Sequence, residues 1–149
     1  MAKFTLADPK GKPLDRKEVD NLLSGPNILR LGVLDERDGS PMVHPVWFHY
    51  ENEMFFVAAD TGGLKARSVQ KNPNVYFLVD TAEGPPRGVR GKGVARVRDD
   101  HSYATEVTRK CTLKYLGTSE SETAKKIIEM GRDSSVIEII PKYIATWKF

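Results

Sequence analysis

Cysteine is almost absent: Cys111 is the only one in 149 residues. That excludes an intrachain disulfide and any zinc site built on cysteine. Histidine is nearly as scarce. His44, His49 and His101 form no HxxxH, HExxH or His/Cys grouping, so no metal centre is expected. No apolar run approaches the roughly 18 residues needed to cross a bilayer. The opening MAKFTLADPKGK lacks the apolar core of a secretory signal. Both absences point to a cytoplasmic protein with no membrane partner. The formal charge is only +3, with both signs interspersed. No Lys/Arg run alternates with aromatics, so nucleic acid is not an expected partner. There is no repeat and no low-complexity segment.

What remains is an ordinary globular chain, 40% hydrophobic, of a length that suits one domain over 1–149. Residues 1–14 carry proline, glycine and lysine and read as a loose arm. Asp15 and Glu18 have capping-box spacing, which predicts a helix through Val19, Leu22 and Leu23 that Ser24-Gly25-Pro26 stops. Strands are predicted at Asn27 to Leu34 and, after the Asp38-Gly39 turn, in a hairpin. The hairpin has arms Val43 to Tyr50 and Met54 to Ala59. Further strands are expected at Asn74 to Asp80 and at Arg87 to Arg98, the latter bent at its glycines. Helices follow over Ser102 to Leu116 and around Ala124 to Met130. The tail, Val136 to Phe149, reads as a strand that breaks at Pro141. The pattern is α+β: an antiparallel barrel of about six strands, decorated with helices.

The organising stretch runs from Pro41 to Pro73. The hairpin is followed by Thr61-Gly62-Gly63, then by a basic segment, Leu64-Lys65-Ala66-Arg67, that opens a short helix ending before Pro73. Strand, glycine turn and helix start together suit either an anion, at which free backbone N–H groups would point, or simply a solvated basic helix start. Lys65 adds a point charge and Arg67 a planar fork. RGVRGKG at Arg87 to Gly93 leads into a strand instead and lacks that context. Pro45 lies inside a strand and has no N–H, which marks an edge or a bulge with free backbone groups. Trp47, beside His44-Pro45, is suited either to the core or to a flat heteroaromatic ring. Cys111, in a helical run, reads as a small core residue.

The sequence HPVWF, a turn, a second strand and TGGLKARSVQKNP before a third strand resembles the pyridoxamine 5'-phosphate oxidase-like, FMN-binding split-barrel family. The resemblance spans about Asn27 to Arg98 and resumes at Trp147. It implies a homodimer with FMN at the interface. Val43, His44, Pro45, Val46, Trp47 and Phe48 would flank the isoalloxazine and ribityl chain. Ala58 and Ala59 would lie near the phosphate, Thr61 would supply a hydroxyl, and Lys65 with Arg67 would hold the phosphate. Arg87 would lie near the flavin, and Trp147 would approach the partner chain's flavin. Leu64 stands where the oxidases often carry arginine, and the sequence ends at Phe149 without their C-terminal arginine and histidine. Oxidation of pyridoxamine phosphate is therefore not expected. The resemblance implies a flavin-dependent oxidoreductase acting on a small molecule, with no catalytic acid or base assigned. Two alternatives keep the barrel: a deazaflavin-dependent reductase, with Lys71 or Arg90 adding positive charge near Lys65, or a non-catalytic flavin- or haem-binding protein.

Overall fold

The computed structural model describes residues 2–149. In chain order the elements are β1 (Lys3–Leu6), α1 (Arg16–Ser24), β2 (Leu29–Leu34), β3 (Pro41–Val46), β4 (His49–Glu51), β5 (Met54–Asp60), α2 (Leu64–Lys71) and β6 (Asn74–Thr81). There follow β7 (Arg87–Arg98), α3 (His101–Leu116), α4 (Glu122–Met130) and β8 (Ser134–Lys148). The predicted capping box forms: Glu18 N–H donates to Asp15 at 2.8 Å and Asp15 N–H to Glu18 at 3.1 Å.

Seven strands lie in the order β3-β2-β6-β7-β8-β5-β4, and β1 joins β8. All of these pairings are antiparallel except β1 with β8. β3 and β4 stand at opposite ends of this path, yet only Trp47 and Phe48 separate them in the chain. A link that short brings the two ends of the path together, so the sheet is curled round into a barrel. Phe48, Phe55 and Phe77 are fully buried and fill its middle. The Phe55 ring centroid lies 5.6 Å from that of Phe48 and 4.6 Å from that of Phe77.

Three expectations need correction. The sheet has eight strands, not six. One extra strand arises because the first hairpin arm is two strands: β3 pairs with β2, whereas β4 pairs with β5. His44 and His49 therefore lie on different strands, not on the single arm Val43 to Tyr50. The other extra strand comes from the segment read as a loose arm. Lys3 to Leu6 pair in parallel with Tyr143 to Thr146, occupying the edge of β8 beyond its pairing with β5. Leu14 is buried, its N–H donating to Thr146 Oγ1 at 3.0 Å. Arms of this kind order when they find an open strand edge, a signal that composition does not carry.

The third correction is at Pro141, where β8 does not break. Gly93 pairs with Pro141 and Lys92 with Tyr143, so Lys142 is the extra residue of a β-bulge. The bulge reverses the in–out alternation: Ile137 and Ile139 face the core before it, Ile144 after it. Just beyond the bulge β7 carries Gly91, paired with Ile144. A Cβ there would stand 2.2 Å from the Tyr143 carbonyl oxygen and 2.5 Å from the Phe77 ring, so only glycine permits this approach.

α3 lies outside the barrel. Ala104, Val107 and Cys111 pack with Val136 of β8, and Trp47, Phe56 and Ala58 join them. This second apolar cluster fixes α3 against β5 and β8, and α4 packs on α3. No helix among the described residues is long and apolar enough to cross a membrane.

Candidate functional site

Where the ends of β3 and β5 approach α2, the helix pair leaves a cavity of about 340 Å³. Pro45, Val46 and Trp47 form one wall, with Ala58 and Asp60 from β5 and Lys65 from α2. Thr108 and Cys111 of α3, Ile127 and Met130 of α4, and Gly131 and Ser134 complete it. β3 is an edge strand that pairs only with β2, as Pro45 required.

The electrostatics centre on Lys65. It is partly buried, and its ammonium has no hydrogen-bond or ion-pair partner among the described residues. Burial pulls its pKa down, and Asp60 opposes this more weakly. The N-cap of α2 is Gly63, which has no side chain to cap the first turn. A half-desolvated cation beside an uncapped helix start leaves positive potential without a protein partner. Asp60, on the same cavity wall, confines that potential to the helix end.

The other predicted residues divide. Pro45, Val46, Trp47, Ala58 and Lys65 converge on the cavity. Ala59 and Phe48 face the barrel core. His44 follows the inward alternation of Met42 and Val46 on β3, with Nε2 buried and unpartnered. Val43 is 68% exposed on the opposite face. Thr61 is already engaged: its hydroxyl bonds Asp133 O at 2.6 Å and Ser135 Oγ at 2.7 Å, tying β5 to β8. Arg67 is drawn from the cavity by Glu36 at 2.5 Å. Arg87 donates to Glu83 O at 3.0 Å and lies beside α1. Trp147 lies over Gly88, next to Arg90. Within one chain, neither Arg87 nor Trp147 reaches Lys65.

Thr108, Cys111, Ile127 and Met130 were not identified from sequence as site residues. Cys111 is buried, as expected, but also borders the cavity; burial pushes its thiol up to about 11, so it stays protonated. Their helical spacing reads equally well as packing, so nothing in the pattern singles them out.

His44 and His49 both have pKa values held below the ordinary 6.5, chiefly by burial and next by Lys65 and Lys110 respectively. As pH falls through 6.5, the unfolded chain binds protons that the folded one refuses. The fold therefore loses stability from that pH downward, until the folded values are passed. Urea unfolding midpoints should be lower at pH 5.5 than at pH 7.5. A double His44→Gln, His49→Gln variant should show a smaller difference. Equal midpoints for the parent at both pH values would exclude this linkage.

A family model described as pyridoxamine 5'-phosphate oxidase matches residues 15–148. The chain belongs to that family, and its fold is the family's split barrel. The solved structures it is similar to include a conserved hypothetical protein from Mycobacterium tuberculosis. That one has a TM-score of 0.81 and 18% identity, covering 97% of this chain and 90% of that one. An F420 reductase has a TM-score of 0.66 and 23% identity, covering 85% and 94%. A FAD-binding protein from Mesorhizobium loti has a TM-score of 0.66 and 18% identity, covering 94% and 99%. No curated protein matches in sequence.

Proposed function

We propose that this family member is an FMN-dependent oxidoreductase that acts as a homodimer on a small molecule. The observation that carries the reading is the unpartnered Lys65 ammonium at the uncapped start of α2. A phosphate monoester fits there, because it accepts from both the ammonium and the free helix N–H groups. Pro45 to Trp47 lie alongside with edge-strand backbone and an indole, groups that suit a heteroaromatic ring. Bound FMN supplies the hydride or electron chemistry; the chain supplies position and potential. Arg67 and Thr61, already engaged elsewhere, have no part in phosphate binding in this reading.

The dimer draws support from a second cavity, about 610 Å³, on the outer face of β2, β3 and β6. Val43 at 68% and Tyr76 at 48% exposure lie in it beside Leu34. An apolar face of this kind suits a second copy of the chain. Arg87 and Trp147, remote from Lys65 in one chain, would reach the flavin from that copy.

The deazaflavin alternative needs Lys71 or Arg90 near Lys65. Lys71 instead donates to Glu36 O at 2.7 Å and Arg90 to Ala7 O at 3.4 Å. Haem would need an axial imidazole at the cavity, and none of the three histidines is among the residues that line it. FMN fits the chain better than either.

The test is an absorption spectrum of the purified protein, with mass spectrometry of what heat releases. FMN is expected, bound to a dimer, and dilution to monomer should release it. Protein that neither carries FMN nor binds it when added, or a monomer that holds it fully, overturns the corresponding half of the reading.

A further inference from the structure

The Trp47–Phe48 link between β3 and β4 lies outside both strands. Two consecutive side chains at the end of α3 hold it. Phe48 N–H donates to Tyr115 Oη at 3.3 Å, and Phe48 O accepts from Lys114 Nζ at 3.0 Å. The same two groups reach further into the fold. Tyr115 Oη donates to Asn27 O at 2.7 Å, just ahead of β2. Lys114 Nζ donates to Leu23 O at 2.7 Å, at the end of α1. That last turn of α1 has no basic residue of its own, so Lys114 supplies the cation its carbonyls favour. Its ammonium also lies 3.4 Å from the Phe48 ring centroid.

The Tyr115 ring does a second job. It stacks on the Trp47 indole with centroids 4.7 Å apart and planes within 10°. Trp47 lines the Lys65 cavity. One side chain therefore supports the indole from behind and anchors the backbone of the next residue.

We propose that Tyr115 and Lys114 are positioning residues of the cofactor site, fixing the Trp47–Phe48 link so that Trp47 forms a rigid wall beside the bound ring. The proposal rests on the FMN reading above. An unsupported two-residue link would let the indole turn among rotamers, and each bound flavin would then have to order it. Neither residue touches the cofactor; both act through Trp47 and Phe48.

Three variants test it. Tyr115→Phe keeps the stack and loses the hydroxyl contacts. Tyr115→Leu loses both. Val107→Ala loosens α3 on the sheet but removes neither the hydrogen bonds nor the ring stack that hold the link. FMN affinity should fall about tenfold or more in Tyr115→Leu, with an altered visible circular dichroism band of the bound flavin. Tyr115→Phe should recover most of both. Val107→Ala should lower thermal stability and leave both unchanged. Lys114→Met, which keeps the stack and loses the Phe48 O contact, should lose affinity by less than Tyr115→Leu, and parental affinity there would remove Lys114 from the role. A folded Tyr115→Leu protein with parental affinity and dichroism overturns the proposal. So does an equal affinity loss in Val107→Ala.

If the parent binds no FMN, the functional reading fails first and Trp47 mobility decides the positioning role. In a Trp147→Phe background Trp47 is the sole tryptophan, since the sequence has two. Acrylamide should then quench Tyr115→Leu markedly more than the same background with Tyr115 intact, and equal quenching overturns the proposal.

Discussion

Replacing Lys65 with methionine should weaken FMN binding by about 1.5–3 kcal/mol, roughly ten- to a hundredfold. The stem survives in Lys65→Met, so packing is nearly kept and the charge alone is lost. In the parent the ammonium is partly buried and has no hydrogen-bond or ion-pair partner among the described residues, so burial costs it solvation that Asp60 returns only in part. A phosphate returns it. The same argument predicts that the apo variant is no less stable than the parent, because an uncompensated cation has been removed. Flavin fluorescence titration gives the affinity and thermal melting the stability. Parental affinity in Lys65→Met would remove this lysine from the site. Clear destabilisation of the apo protein would mean that the ammonium has a partner after all.

The second large effect is expected in the barrel itself. Gly91→Ala should destabilise the fold by about 3 kcal/mol, the upper end of what overpacked cores show. The added Cβ meets a main-chain carbonyl, Tyr143 O, at 2.2 Å. A flexible side chain could turn aside; a carbonyl in the middle of a strand pair cannot without moving β8. On the other side stands the Phe77 ring, itself fully packed against Phe55. For a chain of this size each kcal/mol lowers the melting temperature by about 2–4 °C. A variant that melts with the parent would show that β7 and β8 can separate here at no cost.

The fold was largely legible because its punctuation is local. Asp15 and Glu18 marked a helix start, the Lys65 to Pro73 spacing marked α2, and Pro45 marked an edge. The errors were all non-local. Nothing near Lys3 says that the outer edge of Tyr143 to Thr146 will be open to it. Nothing near Pro141 says that β7 will accommodate a bulge with Gly93. The break at Trp47–Phe48 is invisible because both residues favour strands; only the order of the whole sheet shows that the chain must cross there. Of the cavity wall, Lys65, Pro45 and Trp47 had been singled out through backbone chemistry. The pairing of Arg67 with Glu36 was not legible, because the two are distant in sequence. The α3 and α4 contributions were missed because residues that line a cavity and residues that fill a core share one periodicity.

β8 touches three other strands, β7, β5 and β1, and comes last in chain order among the described strands. Synthesis therefore delivers the middle of the sheet after its flanks. Until residues 134–148 leave the ribosome, β5 and β7 each present an unpaired edge and β1 has no partner at all. Nascent chains of this protein are open to strand-pairing with one another at that stage, and to chaperones that cover such edges. Stalling or truncation ahead of Ser134 would thus leave two sheet fragments rather than a trimmed barrel.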